Sequence, residues 1–198
     1  MIVVEQHRGT PEWRAAHAGH ITPSDCPALL ARPETKKHRA LIERLVLDSE
    51  HIDNHVVEHP DPWHEEHELA LAAGLDYFRQ CHPQTPVRTV GFVQSSEFSW
   101  LGASPHGLID PDRVLLLRPH RTMRAFHTFR EYVAERARQQ LLMFVVEARH
   151  CDVVDIILSK YRVRSIEFDR EWLMERVFPR IVRTWDEVHA ALKKRAVA

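Results

Sequence analysis

The stretch Leu101–Pro119, LGASPHGLIDPDRVLLLRP, decides how this chain is read. It opens with a polar turn, Ser104-Pro105-His106-Gly107, and leads into an apolar strand, Val114 to Leu117, that stops at Pro119. Successive strand residues point to opposite faces. Leu115 and Leu117 therefore share one face and present an apolar patch beside the turn. Leucine can neither ligate a metal ion nor move a proton.

Outward from that stretch, the chain alternates helical and strand patterning. Thr10-Pro11-Glu12-Trp13 is a helix start with proline at the first helical position, and Thr22-Pro23-Ser24-Asp25 is a second. Lys36 to Ser49 is amphipathic, with Leu41, Ile42, Leu45 and Val46 on one face, and Asp61 to Arg79 is helical again. The period then changes, and Val87 to Gln94 and Arg113 to Leu117 read as strands. Thr128 to Phe144 is helical, and Cys151 to Ser159 and Arg162 to Phe168 are β-branched runs of strand length. Asp169 to Lys194 closes the chain as a helix that Pro179 interrupts. This order predicts an α/β (α+β) fold, a central mixed sheet flanked by helices, as a single domain over 1–198.

The 198 residues, 44% of them hydrophobic, suffice for a sizeable core. With 27 basic and 28 acidic residues the chain lacks the basic excess typical of strong duplex binders. Cys26, Cys81 and Cys151 are far apart and odd in number, which suits a reducing compartment. No apolar run of membrane-spanning length and no leader stands out, so the expected setting is the cytoplasm with no membrane partner. Fifteen histidines include the cluster His51, His55, His59, His64 and His67, but no cysteine or carboxylate completes a metal-ligand spacing there. Surface or loop histidines are the simpler reading. No glycine-rich phosphate loop, nucleophile elbow or zincin helix is present.

In this order and spacing the chain resembles the λ-exonuclease and YqaJ-type viral recombinase family of PD-(D/E)xK nucleases. The resemblance runs nearly end to end: Glu5-Gln6, Glu12-Trp13, Gly19-His20-Ile21-Thr22-Pro23-Ser24, Trp63 with Glu68, Val90-Gly91 through Pro119, Gln140 to Phe144, and the tail around Trp185. The family's chemistry is metal-assisted hydrolysis of duplex DNA from an end. Magnesium held by carboxylates activates water and stabilises charge on the phosphate. The family's turn resembles Ser-Pro-Asp-Gly-Leu and its strand Glu-x-Lys-x-Pro.

Laid on this chain with Pro119 as the closing proline, the metal aspartate falls on His106, the metal glutamate on Leu115 and the lysine on Leu117. The arginine that grips the 5′-phosphate falls on His17, between Trp13 and Gly19. The glutamine pair reads Arg138-Gln139-Gln140, so only Gln140 is retained. Glu68 matches the family's helix glutamate, against the simpler reading of an exposed helix carboxylate next to Glu65 and Glu66. Ser24 and Ser104 match positions that hydrogen-bond phosphate, with helix capping the simpler role for Ser24. Asp110 and Asp112 lie in a proline-containing turn and read as solvated loop residues.

The resemblance with these substitutions implies a catalytically inactive nuclease-like protein of phage or prophage origin that acts by binding and uses no metal cofactor. Its expected partner is a protein (a phage exonuclease, an annealing protein or a host protein), or it holds duplex DNA ends. The family also implies a ring-shaped trimer. The alternative is an active 5′-to-3′ exonuclease with replaced ligands, drawing on Glu68, His106 and Asp110 with magnesium or manganese. A third possibility is a structural subunit that carries no nucleic acid.

Overall fold

The computed structural model describes residues 2–5, 10–49, 62–109, 111–120, 128–157 and 160–197, without side chains for 62–65 and 197. His51, His55, His59, Gln6, Asp110 and the side chains of Trp63, His64 and Glu65 lie outside the described residues. In chain order the elements are β1 (Ile2–Val4), α1 (Pro11–His17), a 3-10 turn (Pro23–Asp25), α2 (Cys26–Leu29), α3 (Lys36–Ser49) and α4 (Pro62–Cys81). β2 (Phe92–Gln94), β3 (Gly102–Ala103), β4 (Gly107–Ile109), β5 (Arg113–His120) and α5 (Phe129–Val146) follow. β6 (His150–Ile157), β7 (Lys160–Glu167), α6 (Arg170–Arg176) and α7 (Phe178–Val197) complete the chain.

The predicted helix starts have physical anchors. The Thr10 hydroxyl accepts from the Trp13 N–H at 3.2 Å and fixes the entry of α1. At the start of α5, Thr128 and Glu131 cap each other reciprocally. The long C-terminal helix divides at Val177, because Pro179 in the first turn of α7 cannot donate back to α6.

The mixed sheet has four strands in the order β4-β5-β6-β7, and the short strands β1-β2-β3 form a second, antiparallel sheet. β5 and β6 pair in parallel, with Leu116 beside Val153 and Arg118 beside Asp155. Such a pair needs a crossover, and α5 supplies it. β5 runs on through Pro119 to His120, past the predicted stop. Its β4 neighbour spans only Gly107–Ile109, opposite Leu115–Arg113, so Pro119 costs no ladder bond on that side.

The two faces of β5 enter different cores. Val114 and Leu116 join Cys151, Val153, Leu141 and Leu142 in the larger cluster, beneath α5. Leu115 and Leu117, at 0% and 3% exposure, join Ile109, Val154, Ile156, Leu71 and Phe78 beneath α4. At Gly74 a Cβ would collide with the Ile156 side chain, so the glycine lets α4 lie close on the sheet. Burying each leucine contributes about 1.5–3 kcal/mol.

Candidate functional site

The turn after β3 opens into a small cleft of about 60 Å³ beside α1, the 3-10 turn and α5. Trp13, His17, Thr22, Pro23, Ser24, Ser104, His106, Leu116, Arg138 and Leu142 line it. The structure thus brings together His17, Ser24, Ser104, His106 and Arg138, residues spread over more than half the chain.

Each wall is held locally. The Trp13 indole N–H reaches the Gly91 carbonyl at 2.9 Å and the Ser104 Oγ at 3.0 Å. Ser104 accepts that bond, which leaves its own hydroxyl proton to donate into the cleft. In the 3-10 turn, Asp25 accepts from the Thr22 N–H at 2.8 Å and from its hydroxyl at 3.0 Å, and Arg44 pins the same carboxylate oxygen at 3.0 Å. Capping therefore falls to Thr22 and Asp25. Ser24, expected to be the cap, is instead exposed on the cleft rim.

His106 is tied into the sheet. Its Nδ1 accepts the Leu117 N–H at 3.2 Å, and its backbone N–H donates to the Leu115 carbonyl at 3.2 Å. Leu117 lies beyond the end of β4, so the imidazole takes over where the ladder stops. His17 packs on Trp13 and Phe92, with ring centroids 4.8 and 5.6 Å away. Burial, reinforced by the Arg44 charge, pushes its pKa from 6.5 down to about 4. It is uncharged at neutral pH. Arg138 is the one fixed positive charge among the described lining residues, and Glu135 approaches it only to 3.9 Å.

Leu115 and Leu117 do not face this cleft. Leu116 does, and Arg118, two residues further along the same face, continues it towards α5. Leu115 and Leu117, the positions the resemblance assigns through Pro119, thus point to the side of the sheet away from the cleft.

Arg118 is 7% exposed and lies 3.1 Å from a Glu135 oxygen and 3.2 Å from an Asp155 oxygen. Asp155 also meets Arg164 at 3.0 Å and His120 at 2.9 Å. Burial alone would raise the Asp155 pKa, but hydrogen bonds from His120 and Arg164 and the Arg118 charge take it down to about 2.

Two other expected residues sit elsewhere. Gln140 is buried and structural: its amide donates to the Glu167 carbonyl at 3.0 Å and its oxygen accepts the Asp169 N–H at 2.6 Å. Glu68 is exposed on α4, the helix covering the opposite face of β5, and is not among the cleft's lining residues.

A divalent cation, which the family resemblance implies for this place, finds no fitting donors. The described lining includes no carboxylate, the His106 Nδ1 already accepts from Leu117, and the Asp25 Oδ2 is taken by Thr22 and Arg44. Hard cations such as magnesium take oxygen ligands, carboxylates above all. No group of three histidine, cysteine, aspartate or glutamate side chains among the described residues is arranged to hold a metal.

No protein-family model and no curated protein sequence matches this chain. Solved structures do. An alkaline exonuclease from Laribacter hongkongensis, LHK-Exo, superposes with a TM-score of 0.75 at 19% identity, over 95% of this chain and 98% of the other. The same enzyme in complex with dAMP gives 0.76 at 19% identity, over 93% and 95%. At that identity the shared property is architecture: this chain has the fold of an alkaline exonuclease.

Proposed function

We propose that this protein binds the phosphate of a DNA end and does not hydrolyse it. The observation that carries the reading is the composition of the cleft. One guanidinium, Arg138, stands with the hydroxyls of Ser24 and Ser104 and the neutral ring of His17, and no carboxylate is among the described lining residues. Donors and a fixed positive charge suit a phosphate oxygen. Hydrolysis by the family's route needs a carboxylate-held cation, and the described lining supplies no carboxylate.

The expected loss of the phosphate anchor at His17 has a counterpart across the cleft. Arg138, at the glutamine's place, restores the positive charge from the opposite wall. This favours a DNA end over the protein partner that near-neutral net charge suggests. The complex of the similar exonuclease with dAMP, a nucleotide bearing one phosphate, supports the same ligand class. An active exonuclease drawing on Glu68, His106 and Asp110 is the weaker reading, because Glu68 belongs to the helix on the other side of β5, while Asp110 lies outside the described residues.

The proposal extends to the setting: a pseudoenzyme of phage or prophage recombination, one domain over 1–198, assembled as a ring trimer in the cytoplasm beside an exonuclease or annealing protein. No helix among the described residues is long and apolar enough to cross a membrane.

Fluorescence anisotropy in the presence of chelator tests the binding claim. A duplex with a 5′-phosphate should bind more tightly than its 5′-hydroxyl counterpart, and the preference should vanish in Arg138→Gln. Equal affinity for the two ends would contradict it.

A further inference from the structure

We propose that the Arg118 guanidinium is a built-in substitute for a divalent cation, seated between two buried carboxylates that would otherwise be able to ligate one. Three elements converge on this single positive charge. Arg118 comes from β5, Glu135 from α5 at 3.1 Å, and Asp155 from β6 at 3.2 Å. All three side chains are largely buried, at 7%, 14% and 8% exposure.

Buried carboxylates without a cation are strongly unfavourable, so this arrangement requires a positive charge from some source. A metal ion could provide it, since magnesium is commonly held by one or two carboxylates with water completing the shell. Arginine provides it permanently. Its planar fork cannot be deprotonated and has no exchangeable water to activate.

The surroundings strengthen the exclusion of a second cation. Arg164 and His120 also bond Asp155, at 3.0 and 2.9 Å, and the Gln139 amide donates to Glu135 at 3.1 Å. Arg138 stands 3.9 Å from the other Glu135 oxygen. With three arginines around two carboxylates, an incoming divalent ion meets net repulsion. The inference does not depend on what the neighbouring cleft binds.

Manganese binding by the full-length chain tests it, read by electron paramagnetic resonance and by thermal melting. The wild type should show no bound manganese and no change in melting temperature at millimolar Mn²⁺. Arg118→Ala should melt several degrees lower, gain bound manganese, and recover part of the loss when Mn²⁺ is added. Adding Glu135→Gln to that variant should abolish the gain.

Saturable manganese binding by the wild type would overturn the proposal, as would an Arg118→Ala protein indifferent to the ion. If Arg118→Ala does not fold, Arg118→Met keeps the volume without the charge. Folding of either variant only with Mn²⁺ supports the proposal, and failure of both with and without it contradicts it. None of these results bears on DNA binding, so that reading stands or falls separately.

Discussion

The Nδ1 atom of His106 accepts the backbone N–H of Leu117 at 3.2 Å, two residues beyond Leu115, the last residue of β5 that β4 pairs. The side chain of His106 thus extends the hydrogen bonding of β5 past the end of β4. His106→Ala should destabilise the fold by about 1–2 kcal/mol, the cost of leaving a buried N–H without a partner. His106→Asn, which keeps an acceptor, should recover much of that loss. Denaturant unfolding of the two variants measures the difference.

The two faces of β5 should respond differently to charge. Leu115→Glu buries a carboxylate in the apolar cluster of Leu71, Phe78 and Val154 and should cost about 3–5 kcal/mol. Leu116→Glu enters the cleft that Arg138 lines and should cost clearly less. The pair Leu115→Glu with Leu117→Lys should be severely destabilised. Thermal melts decide the order, and equal losses for Leu115→Glu and Leu116→Glu would contradict the facing described here.

Arg138→Gln should leave the melting temperature nearly unchanged, because its ion-pair contact among the described residues is a long one, 3.9 Å to Glu135. Affinity for a 5′-phosphorylated duplex should fall about ten- to hundredfold, the value of a lost charge-assisted hydrogen bond. Affinity should also depend less steeply on salt than in the wild type.

Acid should weaken the protein in two stages. The His17 pKa is lowered from 6.5 to about 4, so the unfolded chain takes up a proton first. Stability is full above pH 6.5 and falls as pH drops towards 4, by at most about 3 kcal/mol. Asp155, lowered to about 2, contributes stability above its ordinary carboxylate range and loses it only as pH falls through that range towards 2. Urea midpoints at pH 7 and pH 4.5 should differ less in His17→Gln than in the wild type.

Much of the fold is legible because its signals are local. Thr10-Pro11 and Thr128 with Glu131 announce helix starts, and the amphipathic face of Lys36 to Ser49 matches α3 end to end. The three-stranded sheet is not legible. Its strands hold two or three residues each and are made by pairing between distant segments. Within the expected strand Val87 to Gln94, only Phe92–Gln94 is paired into a strand.

The cleft is half legible. Serine, histidine and arginine positions follow from motif order, but which leucine faces them depends on register, and register is fixed by the β4–β5 pairing rather than by composition. Arg118 escapes notice for the same reason. In the sequence it is one charge after an apolar run, and only the fold reveals Glu135 and Asp155 on either side of it.

The most direct test incubates the purified protein with 5′-phosphorylated linear duplex and magnesium or manganese, and measures acid-soluble nucleotide. The duplex should stay intact with either metal while remaining bound. Nucleotide release that requires the metal and stops on adding chelator would contradict the account.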